Sequence, residues 1–309
     1  MQNQPFPKVK VSLAVGFTVL AWASAFVVIR VALKGYEPGS MGLFRYLIAS
    51  IGILFFYIPT KKTRHASVKD IGLIIFAGVL GFGVYTLALN YGEVTVSSGI
   101  AGFIASQIPI TVALFAMIFL KEPITGYGWL GMLISVIGVS LIALSHHQVE
   151  RWDIGIMFLL ISIISAGIYH VSCRSLLQKF HPIELTAYMM WAGTFSMAMY
   201  FPSMIKEIPT ASLTATTAVI YLGIVPAVVG YMAWNYALRY LPAAKTCSFL
   251  YLLPILTSIL GWLMLGEVMN PLSLTGGVIA LLGAIIINQK KKSAAPVAEN
   301  ATPPLIKES

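Results

Sequence analysis

The chain has 309 residues, 58% of them apolar and 10% charged, with a mean hydropathy of +0.85. Soluble domains carry about 25% charged residues, so this composition excludes an ordinary cytosolic enzyme, a disordered chain and a collagen, and leaves an integral membrane protein. The net charge of +9 invites a nucleic-acid reading, but the basic residues are scattered over short segments between apolar runs, which excludes it.

Residues 1–10 read as a short polar cytoplasmic N-terminus that feeds a retained first helix rather than a cleaved signal. Apolar runs follow at 11–33, 39–59, 70–91, 97–120, 124–145, 154–173, 183–202, 215–238, 244–265 and 271–288. A bilayer crossing needs about 20 such residues, and each run supplies them. Turn and charge signals separate the runs, among them Lys34-Gly35-Tyr36-Glu37-Pro38, Lys121-Glu122-Pro123 and His181-Pro182. The runs are continuous rather than alternating, so the spans are helices and not barrel strands. With the N-terminus in the cytoplasm, fifteen Lys and Arg residues fall on the cytoplasmic side and four on the other. That bias predicts ten spans in the cell inner membrane with both termini cytoplasmic. Residues 290–309 contain three prolines and read as a disordered cytoplasmic tail. Cys173 and Cys247 lie far apart in apolar runs, without disulfide or metal spacing, and no cofactor or metal is expected.

The chain also matches itself. A shift of 145 residues puts Asn90-Tyr91 on Asn235-Tyr236, Pro109-Ile110 on Pro254-Ile255, Glu122 on Glu267, Gly131 on Gly276 and Gly138 on Gly283. A shift of 144 puts Arg30 on Arg174 and Pro38 on Pro182. Segments 11–145 and 154–289 are therefore read as two copies of a five-helix unit. Five is odd, so the second copy enters the membrane from the opposite face. The expected fold is an all-α integral membrane protein with ten transmembrane helices as two five-helix inverted repeats. Secondary transporters use this architecture and place substrate near the midplane.

These residues resemble the EamA-type permeases of the drug/metabolite transporter superfamily. Each half ends in Leu120-Lys121-Glu122 or Leu265-Gly266-Glu267, followed by the glycine pairs Gly131/Gly138 or Gly276/Gly283. Leu20-Ala21-Trp22-Ala23-Ser24-Ala25-Phe26 is similar to the family's first helix, with Ala23 where Gly is usual. Pro38 with Arg45 and Ala49 is similar to its second helix, whereas the second half has Met189 opposite Arg45. The resemblance covers residues 12–288. It implies a ten-helix exporter-type permease with cytoplasmic termini and names no substrate.

Candidate site residues follow from depth and chemistry. Pro109 and Pro254 stand near the middle of their spans, where a proline frees a carbonyl and kinks the helix. They are read as hinges, or as purely structural kinks. Ser106, Gln107 and Tyr251 lie about one turn before these prolines and either bind substrate or bond to neighbouring helices. Arg45 is the strongly basic side chain well inside a span. It either holds a substrate carboxylate or phosphate or bonds structurally to carbonyls of a neighbouring helix. Trp22, Ser24, Tyr85, Tyr169, Trp191, Tyr231 and Trp234 complete the substrate-binding candidates, Trp22 and Trp191 as cavity walls. His170 lies about a turn from the cytoplasmic end and is expected to be solvated. Asn90 and Asn235 read as helix caps. Glu122 and Glu267 are expected to cap the helix that follows each. Glu93 falls at an outer edge, and no acidic residue looks like a buried proton carrier. The glycine pairs read as packing or dimerising faces.

The leading expectation is a secondary transporter that exports a small polar or aromatic metabolite (amino-acid-like, nucleoside-like or drug-like) by alternating access. Its partners would be that solute, the bilayer and a coupling proton or counter-substrate, with no nucleic acid, as a monomer or homodimer. The alternative is an integral membrane enzyme acting on a lipid or acyl substrate, suggested by the spacing of His65 and Asp70. Only Asp70 and Asp153 are available as aspartates, and neither HExxH nor a Walker A motif occurs.

Overall fold

The structure, a computed structural model, describes residues 7–60, 66–120, 124–144, 154–241, 246–268 and 270–287. The described residues form helices and turns and no strand. In chain order the helices are α1 (Lys8–Ala32), α2 (Pro38–Tyr57), α3 (Val68–Thr95), α4 (Ser98–Ala105), α5 (Ile108–Leu120), α6 (Gly126–Leu144), α7 (Ile154–Leu176), α8 (Pro182–Ser196), α9 (Phe201–Glu207), α10 (Leu213–Tyr240), α11 (Leu253–Leu265) and α12 (Pro271–Ile287). Among the described residues, α1, α2, α3, the 98–119 segment, α7 and α10 are each long and apolar enough to cross a membrane. Shorter apolar helices occupy Gly126–Gly138, Phe249–Leu265 and Leu274–Gly283. The protein is thus a multi-pass membrane protein. Glu122, the loop 146–153 and the tail 290–309 lie outside the described residues.

Local chemistry fixes several helix ends. Pro38 and Pro182 open α2 and α8 at the first helical position, where the missing N–H has no acceptor to lose. Ser67 and Asp70 close a reciprocal capping box at the start of α3, and Ser212 Oγ accepts from Ala215 N at α10. Gly266, at φ 66°, ends α11 in the left-handed region. The apolar run 183–202 is not one helix. It breaks after Ser196 into a short 3₁₀ turn and α9, so Pro202 lies in the first turn of a new helix.

The two hinge prolines act differently from the kinks expected of them. Ser106 and Gln107 form a turn between α4 and α5, and Pro109 is the second residue of α5. In the second half a 3₁₀ segment, Ser248–Leu252, leads into α11 with Pro254 in its first turn. A first-turn proline sacrifices no helix bond, so each span is discontinuous on the N-terminal side of its proline rather than bent at it.

A second pair of irregularities was not expected. The helix widens to π geometry at Val79–Val84 within α3 and at Gly223–Gly230 within α10. A shift of 145 places 79–84 on 224–229, inside the second segment. Pro226 explains part of the widening in α10, since it cannot complete a helix bond. Side chains from neighbouring helices satisfy the irregular backbone. Ser165 Oγ donates to Leu80 O at 2.8 Å, Thr18 Oγ1 to Gly230 O at 3.1 Å and Trp22 Nε1 to Pro226 O at 3.1 Å. This is how non-ideal helix persists without water in a membrane interior.

The most extensive helix pairing among the described residues is α6 with α12. Gly138 lies against the backbone of Gly276 and Ala280, and Gly283 lies against Gly131 O and Ser135 N, so the helices meet backbone to backbone. Ser135 Oγ donates to Ala280 O at 2.8 Å across the contact. All four glycines singled out for packing or dimerising thus meet in pairs, Gly138 against Gly276 and Gly283 against Gly131, within one chain.

Candidate functional site

Where α1, α2, α3, α7 and α10 converge, a cavity of about 30 Å³ remains, room for about two waters. Its wall contains Trp22, Arg45, Tyr85, Tyr169 and Tyr231, five of the expected site residues, together with His170 and Gly81. Gly81 belongs to the π segment of α3. Any Cβ there would strike the Tyr169 ring, so the absent side chain is what lets the two helices close on the cavity.

The aromatic wall is continuous. Trp22 contacts Tyr231 and Trp234 with ring centroids 5.0 and 4.9 Å apart. Phe82 bridges Tyr231 at 4.6 Å and Tyr169 at 5.4 Å. Tilted and edge contacts of this kind hold rings in fixed orientations. Trp234 Nε1 donates to His170 Nδ1 at 3.3 Å. Indole nitrogen only donates, so Nδ1 is the acceptor and the neutral ring carries its proton on Nε2. The expectation of a solvated His170 is therefore corrected. It is 3% exposed, because α7 continues to Leu176 and packs His170 against α10.

Arg45 is the polar focus of the cavity. It is 3% exposed, and its Nε has no hydrogen-bond partner among the described residues. Its guanidinium carbon sits 5.3 Å from the Tyr46 ring centroid, a cation–π contact that shields charge without satisfying the donors. A buried guanidinium with an idle Nε is costly, and a carboxylate or phosphate group is the chemistry that would use it.

The other expected site residues fall elsewhere. Ser24 Oγ bonds Tyr221 Oη at 2.7 Å, away from the cavity wall. Ser106 Oγ donates to Phe103 O at 2.6 Å, and Gln107 Nε2 meets Ser106 Oγ at 3.0 Å, so both close the break between α4 and α5. Gln107 Oε1 is left without a partner. Trp191 Nε1 donates to Ser50 O and lines a separate groove beside Leu47 and Phe195. Trp234 stands behind Trp22, and Tyr251 is 8% exposed near the Pro254 break. Asn90 and Asn235 are not simple caps. Asn90 Nδ2 reaches Pro38 O at 2.9 Å, and Asn235 Nδ2 reaches Thr186 Oγ1 at 2.7 Å and Tyr169 Oη at 3.3 Å.

On the side of the protein that carries Arg30, a vestibule of about 1060 Å³ opens to the surface. Carboxylates and cations line it. Glu207 accepts from Ser40 Oγ at 3.0 Å and from Glu37 N at 3.1 Å. Arg30 Nε pairs with Glu267 Oε1 at 3.2 Å. Glu267 Oε2 also accepts from Ser98 N at 3.0 Å and Ser98 Oγ at 2.6 Å. Glu267 therefore caps α4, from the first half of the chain, and not the helix that follows it. Arg30 Nη1 donates to Glu93 O. At the far end of the bundle, Arg174 Nη1 donates to Leu238 O at 2.9 Å and Arg239 O at 3.1 Å, the last-turn carbonyls of α10. Residues 93 and 238 are 145 apart, so matched arginines close matched helix ends. Glu93, expected at an exposed edge, is fully buried, and neither carboxyl oxygen has a partner among the described residues.

A solved crystal structure resembles the chain with a TM-score of 0.65 at 13% identity, covering 90% of this chain and 96% of its own, which speaks to fold alone. An uncharacterized transporter of Bacillus subtilis, YdfC, is 36% identical over 275 residues, 89% of this chain and 90% of that protein. A probable terminal-alkyne amino-acid exporter of Streptantibioticus cattleyicolor is 32% identical over 277 residues, 90% and 93% of the two chains. The sequence profile of the EamA-like transporter family matches twice, at residues 10–144 and again at 153–289. With both halves matched and the relatives aligned almost end to end, the chain belongs to the EamA-like transporter family.

Proposed function

We propose that the protein is a secondary exporter of amino-acid-like solutes that works by alternating access across the inner membrane. Ten spans in two inverted five-helix repeats, with both termini cytoplasmic, carry the exchange. The double family match, the paired π segments and the equivalent carbonyl contacts of Arg30 and Arg174 support that arrangement. The observation that carries the substrate class is Arg45, a buried guanidinium with an idle Nε in an aromatic-walled cavity. Arg45 takes the solute carboxylate in a forked contact, and Trp22, Tyr85, Tyr169 and Tyr231 enclose its side chain. The name of the Streptantibioticus relative points the same way. A cavity of about 30 Å³ admits no amino acid, so this is an occluded state. On the expected orientation the vestibule faces outward, and solute binding parts the helices around Arg45.

Proteoliposome flux of radiolabelled L-amino acids and their amides tests the reading. Arg45→Ala should abolish saturable flux of the acids and leave flux of amides, which lack the carboxylate, within a few-fold of wild type. Equal loss on both solutes would make Arg45 a structural residue, and wild-type flux that fails to saturate would indicate a channel.

A further inference from the structure

Glu93 is the buried acid that this transport reading leaves unused. Its side chain is fully buried. Both carboxyl oxygens lack a hydrogen-bond partner among the described residues. The cations nearest to it are otherwise disposed. Arg30, on α1, commits Nε to Glu267 and Nη1 to the backbone oxygen of Glu93 itself, and attracts the carboxyl through space without a hydrogen bond to it. Arg45, on α2, acts on Glu93 from the cavity side, and Glu267 acts on it from the vestibule with like charge. On its own helix, Tyr85 stands about two turns before it. Helix α7 packs closely on this level of α3, with Leu159 and Gly155 against Gly92, and brings no charged side chain there among the described residues.

An ionised carboxylate in this position would sit in low dielectric with no donor on either oxygen among the described residues, which favours the neutral acid. Glu93 lines the vestibule, and Arg45 lines the central cavity.

We propose that Glu93 is the proton site of a proton-for-solute exchange, protonated in the empty carrier and ionised when solute binds. The inference rests on the amino-acid reading above. A zwitterion whose carboxylate sits on Arg45 presents an ammonium group to the Glu93 side. The carboxyl O–H bond breaks, its electron pair stays on Glu93, the proton passes to water on the side from which the solute entered and the ammonium becomes the counter-charge; once the solute has left on the other side, vestibule water reprotonates the acid. Proton and solute then exclude each other at one acid, so each solute released is replaced by one proton.

Infrared spectroscopy of the purified full-length protein in lipid nanodiscs tests the proton without any solute. At neutral pH the wild type should show a protonated-carboxyl C=O stretch that is missing in Glu93→Gln and unchanged in Glu37→Gln, an exposed vestibule acid. No such band in the wild type, or a band that survives in Glu93→Gln, overturns the proposal. A mixture of the common L-amino acids is then added, with thermal shift read on the same sample. Loss of the band together with a rise in melting temperature supports the exchange. A rise in melting temperature with the band intact overturns the coupling. If neither changes, the amino-acid reading fails and the exchange with it, while the protonated acid stands on the first arm.

Discussion

Glu267 gives the sharpest structural test, because one carboxylate joins three partners on two helices. Removing it as Glu267→Ala deletes the Ser98 N and Ser98 Oγ bonds, at 3.0 and 2.6 Å, and the Arg30 pair at 3.2 Å. The Arg30 side chain is 30% exposed and that of Glu267 18%, so the ion pair contributes about 0.2–1 kcal/mol. The two bonds to Ser98 cap the α4 N-terminus, and a lost cap with charged acceptor costs about 1–3 kcal/mol. The sum is about 1–4 kcal/mol for Glu267→Ala. Glu267→Gln keeps an acceptor for Ser98 and loses only the pair, about 0.2–1 kcal/mol. Ser98→Ala costs about 1 kcal/mol, and the Glu267→Ala/Ser98→Ala cycle should show coupling of similar size. Reversible unfolding in mixed micelles supplies the free energies. Equal losses for the Ala and Gln variants, or strict additivity in the cycle, would show that the cap on α4 does not contribute and that the reasoning is wrong.

Two further outcomes follow from the geometry. Gly138→Ala and Gly283→Ala push a methyl into backbone atoms of the partner helix, which cannot rotate away, and each should cost about 1–3 kcal/mol. Gly16→Ala and Gly72→Ala, with nothing within 4 Å, should be neutral or stabilising by up to about 1 kcal/mol in the same unfolding measurement. Burial, then the nearby Arg239, holds the His181 imidazole below the ordinary histidine range. Its neutral form is thus favoured in the folded protein, and the unfolded chain binds more protons. The resulting stability is complete above about pH 6.5 and falls as the pH drops below it. His181→Asn, which keeps an acceptor for the Ile183 amide, should flatten that part of a melting-temperature profile measured between pH 5 and 8.

Much of the fold was legible because apolar length and the 145-residue register are one-dimensional quantities. The run 97–120 and Pro109 located a real break, although not its form. Proline forbids a bond on its N-terminal side, and the helix answered by ending rather than bending. The π segments were missed, although Gly78 and Gly223 also match at a shift of 145. Their signal is a cluster of glycines with Pro226, which reads as helix weakness until a neighbouring Ser, Thr or Trp is seen to satisfy the backbone. At the site, residue type picked out Trp22, Arg45, Tyr85, Tyr169 and Tyr231, which the fold brings together. Depth along a span did not reveal which face a residue occupies. His170 and Glu93 both sit near span ends, yet both point inward, because the helix packed against each covers that level.

The polar atoms left without partners are unevenly distributed. Among the described residues they are Arg45 Nε, Tyr46 Oη, Thr86 Oγ1, Asn90 Oδ1, both carboxyl oxygens of Glu93 and Gln107 Oε1, all between residues 45 and 107. Asn235, which stands 145 residues after Asn90, is bonded to Thr186 and Tyr169 and meets the Cys173 thiol. In landscape terms the unmet polar contacts among the described residues cluster in first-half helices, which is local frustration in this conformer. A sequence under such one-sided frustration has an asymmetric route downhill. The first-half helices gain by exchanging neighbours, and the second half supplies the frame against which they do so.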